Sequence, residues 1–358
     1  MKADTLIRDP VFQLNLLLWM TKEQPSGDYR VRPLFFELGF KIIYIEQPFR
    51  FPEETSRKAI GSGLVISEAP EPELILGGEN DEKALYFEAK ANSFGPESSN
   101  AKQARGHLVA TGPPFQEVLA PLKSCLLCYV VPEENRVLML QCLAHLSSEL
   151  AATELEPGLF SCHGLMVSTN QLIYGWDVAF KDYLGLAEDS AIVLSDLDDD
   201  TDPSPLLLLF SEEDCPTEGM RDFYRQVVIE QVRARLLCDL ETLPLNREYE
   251  ISVDELLLET SDRLFDYLGR ERQKRLRLLI RENLFRRIRD YWVDKEGVRV
   301  ENDQLYIRWR STIEKTDFLA WLEDRRLKFE TNRPIERTMP LLEGLPEQVV
   351  PDESDDSA

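Results

Sequence analysis

The chain has 358 residues, 43% of them hydrophobic, and a formal net charge of −24, which excludes a disordered chain and leaves room for two packed domains. No basic start, apolar run and cleavage site open the sequence, and Leu14 to Met20 is too short for a membrane span. A soluble, intracellular, cytoplasmic protein with no membrane partner is therefore expected. There is no GxxxxGK[S/T], HExxH or GxSxG, so ATP hydrolysis by a phosphate loop, zinc-protease chemistry and serine-hydrolase chemistry have no motif to rest on.

In chain order, Val11 to Met20 reads as a buried helix, and Leu38 to Tyr44 as a strand entered from a helix through Gly39. Pro72-Glu73-Leu74-Ile75-Leu76 alternates as a strand, with Glu73 and Ile75 opposite Leu74 and Leu76. Gly77 to Asp81 suits a hairpin connection longer than two residues. Ala84 to Ala91 follows as a half-buried strand, sending Leu85, Phe87 and Ala89 one way and Tyr86, Glu88 and Lys90 the other. Pairing the two strands brings Glu73 towards Glu88, with Lys90 on the same face. Two carboxylates suit Mg²⁺ or Mn²⁺, which take hard oxygen ligands together with substrate phosphate. A neighbouring ammonium suits positioning of an attacking water or stabilisation of charge developing on phosphate. On its own, a Glu-x-Lys on a strand is more often a solvated ion pair.

The order Pro72-Glu73, then Glu88-Ala89-Lys90, over about residues 30 to 132, resembles the PD-(D/E)XK nuclease superfamily. The resemblance implies a restriction-endonuclease-like α/β fold, with a mixed sheet flanked by helices. It also implies catalysis by Glu73, Glu88 and Lys90, metal ligation by Glu73 and Glu88, and products ending in a 5′-phosphate and a 3′-hydroxyl. The helix after the motif places Gln103 where many members carry a Gln. Glu73 stands where Asp is more usual, and His107 where some members have Tyr. Glu37 is the nearest counterpart of the family's additional helix acid.

Cys125 and Cys128 lie in an apolar strand whose alternation sends them to opposite faces, so buried free thiols are expected rather than zinc. Cys125 to Pro132 fits the fourth strand of the core. The region to Tyr183 has no clear assignment. Asp196 to Pro203 reads as an acidic linker; a calcium loop from Asp198 would put Pro203 where Gly is needed and Leu209 where Glu is needed. Leu206 to Phe210 reads as a short buried strand, and from Thr217 the pattern turns helical.

Ser252-Val253-Asp254-Glu255 is a capping box opening a helix to about Leu268, and Arg270 to Trp292 reads as one basic helix. Val298 to Trp309 reads as a hairpin turning at Glu301-Asn302-Asp303, and helices followed by a hairpin resemble a winged-helix arrangement. From Arg263 to Arg337 there are 20 Lys and Arg against 14 Asp and Glu, a basic segment in an acidic chain. Arg275, Arg277, Arg281 and Arg287 on the helix, with Arg308 and Arg310 on the wing, are candidates for nucleic-acid phosphate contacts. The competing reading is a solvated face with Glu271–Arg275 and Glu282–Arg286 pairs.

The expected organisation is a nuclease-like domain over 1–185, an acidic linker and short strand over 186–216, a mainly helical basic domain over 217–340, and a disordered acidic tail over 341–358. The expected function is metal-dependent cleavage of nucleic acid, DNA first. The acidic total charge points to work within a restriction or defence complex, with protein partners supplying target recognition or ATP hydrolysis. Two alternatives stay open: a nuclease-fold scaffold without activity, and a DNA-binding regulator acting through the basic domain.

Overall fold

A computed structural model describes residues 6–24, 31–78, 83–119, 122–170, 175–181, 190–194, 207–215, 217–292 and 297–323. The acidic linker over Asp196 to Pro203, the tip of the predicted 77–81 hairpin and the acidic tail lie outside them.

The first half is a mixed α/β layer. Helices α1 (Pro10–Thr21) and α2 (Leu34–Glu37) lead into strand β1 (Phe40–Ile45), and α3 (Glu53–Gly61) precedes β2 (Leu74–Gly78) and β3 (Lys83–Ala89). Helices α4 (Ser99–Ala110) and α5 (Pro113–Val118) connect β3 to β4 (Ser124–Pro132). Helix α6 (Arg136–Ala151) connects β4 to β5 (Leu159–Asn170), and β6 (Gly175–Lys181) and β7 (Ser190–Leu194) complete a seven-stranded sheet ordered as in the chain. Within the described sheet β3–β4 and β4–β5 pair in parallel, each across a helical crossover, and the other neighbours are antiparallel. Gly39, at φ 77°, makes the left-handed step from α2 into β1.

Strand β3 lies inside the sheet, between β2 and β4, and from Ala84 to Ala89 it is buried on both faces rather than half-buried. Leu85, Phe87 and Ala89 pack with Cys128 and α1, whereas Tyr86 packs with Cys125, α4 and α6. The two cysteines thus sit on opposite faces, both buried free thiols. Helix α1 is apolar nearly all round because the sheet and the C-terminal helices cover it from both sides. Among the described residues no helix is long and apolar enough to cross a membrane.

The second half contains α7 (Glu218–Thr242), β8 (Glu248–Ser252), α8 (Val253–Thr260), α9 (Arg270–Ile280), α10 (Arg286–Trp292), β9 (Val298–Glu301), β10 (Gln304–Arg308) and α11 (Thr312–Glu323), with the strands ordered β8-β10-β9. Its apolar residues are continuous with those of α1 and the adjoining sheet face, so the two halves share a hydrophobic cluster.

Three local expectations are corrected. Leu207 to Phe210 is buried but forms no strand; the side chain of Asn15 takes over the pairing a neighbouring strand would supply. Its Oδ1 accepts from Leu208 N at 2.6 Å and Leu209 N at 2.9 Å, and its Nδ2 donates to Leu209 O at 2.8 Å. The capping box at Ser252 and Glu255 forms, but α8 stops at Thr260, where Asp262 and Arg263 take positive φ of 52° and 68°. The basic helix is divided by a π turn over Arg281–Phe285, which rotates the following turn and keeps Leu284, Phe285 and Ile288 in the core. The β9–β10 turn has Asn302 and Asp303 at φ 47° and 66°, the left-handed pair that a two-residue hairpin turn needs.

Candidate active site

The end of β1, the start of β2 and the end of β3 meet in one place because their backbones bond there. Glu46 N–H donates to Glu73 O, and Glu73 N–H to Phe87 O, both at 3.1 Å. Lys90 N–H donates to Val130 O at 2.9 Å, and the buried Gln13 of α1 donates from Nε2 to Lys90 O at 3.2 Å. The segment carrying Glu88 and Lys90 is therefore held from both neighbours.

Lys90 Nζ donates to Glu88 Oε1 at 2.5 Å and to Gln103 Oε1 at 3.2 Å. Glu73, Glu88, Lys90 and Gln103 all line a polar cavity of about 540 Å³, together with Glu46, Glu71, Asn100 and Arg272. The four residues singled out by sequence are thus brought together. Glu37 is not; it is exposed and pairs with Arg32 at 3.0 Å. The carboxylate that β1 contributes is Glu46, buried at 2% exposure and held at φ 48°.

Tertiary structure adds two further groups. His107, one turn after Gln103 on α4, is fully buried, with Nε2 3.4 Å from Glu88 Oε2 and Nδ1 2.7 Å from the Tyr86 hydroxyl. Burial, and then the charge of Glu88, push the Tyr86 phenol well above its usual range. It therefore stays protonated and donates to Nδ1, which leaves Nε2–H facing Glu88. The i, i+4 spacing of Gln103 and His107 was the available sequence signal. Arg272, at the start of α9, pairs with Glu46 and with Glu71 Oε1, the latter at 3.0 Å. No local pattern links it to a motif almost two hundred residues earlier.

The two motif carboxylates have opposite electrostatics. Burial, then the like charges of Glu88 and Glu46, raise Glu73 well above the carboxylate range. Burial also works to raise Glu88, but Lys90 and then His107 outweigh it and hold the group down to about 2. At neutral pH Glu88 is ionised, while at Glu73 the opposing charges of Lys90 and Arg272 are outweighed by burial and the neighbouring carboxylates. Glu73 Oε2 is buried without a hydrogen bond, and Glu88 Oε2 has the His107 Nε2 3.4 Å away. Two carboxylates on a polar cavity fit a hard divalent cation. Among the described residues no three His, Cys, Asp or Glu are grouped to hold a metal ion.

The candidate phosphate-binding arginines are largely engaged with acids. Arg275 pairs with Glu213, Arg277 with Asp254, Arg281 with Asp303 and Arg308 with Glu248. The predicted Glu282–Arg286 pair forms at 2.8 Å, whereas Glu271 faces Lys274 rather than Arg275. Arg287 is half-buried, and the Arg310 backbone N–H donates to Glu314 Oε2 at 3.0 Å. No protein-family model, no curated protein and no solved structure matches this chain.

Proposed function

We propose that this chain is a metal-dependent nuclease that hydrolyses DNA phosphodiester bonds. The observation that carries the reading is Lys90, bonded at once to Glu88 and Gln103 on the wall of a cavity shared with Glu73. Glu73 and Glu88 would hold Mg²⁺ or Mn²⁺, which when bound supplies positive charge to the phosphoryl oxygens. Glu88 and Gln103 fix the Lys90 ammonium, so its proton-rich face is positioned to orient an attacking water or to meet negative charge gathering on the phosphate. His107 and Tyr86 keep Glu88 from turning away. The sheet order, with a crossover between β3 and β4, supports a restriction-endonuclease-like core for this half.

With α9 and α10 counted as one helix across the π turn, the helix–strand–helix–helix–strand–strand order over 218–308, with β10 central, supports a winged-helix reading of the second half. Most of the arginines named as phosphate contacts face acids, and partner proteins in a restriction or defence complex would supply target recognition or ATP hydrolysis. A nuclease-fold scaffold acting through the C-terminal half is the second reading; the pairing of Arg272 with Glu46 and Glu71 inside the cavity favours it.

The test is incubation of wild type, Glu73→Gln and Glu88→Gln with supercoiled plasmid and single-stranded DNA in Mg²⁺, Mn²⁺ or EDTA. Cleavage by wild type alone, abolished by EDTA, is expected. Absence of wild-type cleavage, together with a melting temperature unmoved by Mn²⁺, refutes the reading, because a cation bound to the native state must raise it.

A further inference from the structure

We infer that Arg272 is a substrate-binding residue of this cavity, placed by the second half of the chain to grip a phosphate of the nucleic acid; the inference rests on the nuclease reading above. Lys90 and Arg272 are the two basic side chains among the described residues lining the cavity. Lys90 is committed to Glu88 and Gln103, next to the reacting position. Arg272 stands on the wall formed by Glu46 and Glu71, with a side chain only 11% exposed.

Its position is fixed by the junction of the two halves. Ile45 bridges to Leu268, Gln47 Nε2 donates to Tyr267 O at 2.7 Å, and a Cβ on Gly269 would lie 3.1 Å from Glu46 O. The backbone entering α9 is thereby stitched to the end of β1, so Arg272 enters the cavity whenever the two halves are joined. A guanidinium matches a phosphate with two parallel N–H donors, and one already oriented by carboxylates loses little freedom on binding. The arrangement also makes the reaction depend on the C-terminal half, since a phosphate contact comes from outside the Glu-x-Lys strand and its helix.

The test compares Glu46→Gln/Glu71→Gln with the same protein also carrying Arg272→Met. Both lack the two acids, so their difference reads the guanidinium, which the first variant keeps without its acid partners and the second removes. Affinity for a short fluorescein-labelled DNA is read by anisotropy with Ca²⁺ replacing Mg²⁺, and KM and kcat by cleavage in Mg²⁺, with matched thermal melts. Adding Arg272→Met is expected to weaken binding and raise KM about 10- to 100-fold, the range of a charge-assisted hydrogen bond. An Arg272→Lys version should recover part of it, because the charge returns without the planar fork. If wild type cleaves and the two variants share one KM and affinity at equal melting temperature, Arg272 is only a structural clamp and the inference falls while the nuclease reading stands. If wild type neither binds nor cleaves DNA, both fall together.

Discussion

Replacing Lys90 by Met keeps the length of the side chain and removes its charge, which exposes how the site is held. Lys90 Nζ lies 2.5 Å from Glu88 Oε1; Glu88 is 1% exposed and the Lys90 side chain 20%. At an effective dielectric of about 20, unit charges roughly 3 Å apart attract by about 5 kcal/mol, most of which offsets the desolvation of two ions. Deleting one partner leaves the other buried and uncompensated, so Lys90→Met should lower the unfolding free energy by roughly 3–5 kcal/mol at neutral pH. Adding Glu88→Gln should restore most of that loss.

The pH dependence follows from the direction of the Glu88 shift. Its folded value, about 2, lies below its ordinary 4.5, so it stabilises the fold above 4.5 and loses that contribution as pH falls towards 2. The gap between wild type and Lys90→Met should be full at neutral pH and close across that window. Urea unfolding followed by tryptophan fluorescence from neutral to acidic pH measures it. A gap below about 1 kcal/mol, the worth of a surface pair, or one independent of pH, would show that Lys90 does not neutralise Glu88 and would undermine the electrostatic account of the site.

Two further outcomes concern the frame around the cavity. Asn15→Leu orphans the buried amides of Leu208 and Leu209 and the carbonyl of Leu209, and at roughly 1–3 kcal/mol for each buried orphan it should destabilise by several kcal/mol. Faster hydrogen exchange at both amides is the direct readout, and unchanged exchange refutes it. Gly106→Ala would place a Cβ 2.6 Å from Ser67 O, so despite alanine's higher helix propensity it should cost about 1–3 kcal/mol and, by shifting α4 with Gln103 and His107, reduce cleavage. A stabilised, fully active Gly106→Ala protein would contradict that packing.

Sequence alone determined what depends on neighbouring residues. Period-two alternation put Tyr86, Glu88 and Lys90 on one face and divided Cys125 from Cys128, because successive side chains of any strand point oppositely. Glu301-Asn302-Asp303 marked a turn because Asn and Asp tolerate positive φ. The family resemblance, not local spacing, singled out Gln103 on the helix after the motif strand. Tertiary structure decided what depends on residues far apart. Asn15 removed a strand at Leu207 to Phe210 by satisfying its backbone across more than 190 residues. Helix α1 on one side and α4 and α6 on the other buried both faces of β3, where alternation predicts one. Acids from distant elements met Arg275, Arg277 and Arg281, where the chain by itself offered Glu271 as the partner of Arg275. Glu46 and Arg272 joined the cavity only because the backbone before α9 bonds to the end of β1. Covalent geometry sets which way neighbouring side chains point, whereas the partner a side chain meets depends on which surfaces bury each other, a choice made by the whole core at once.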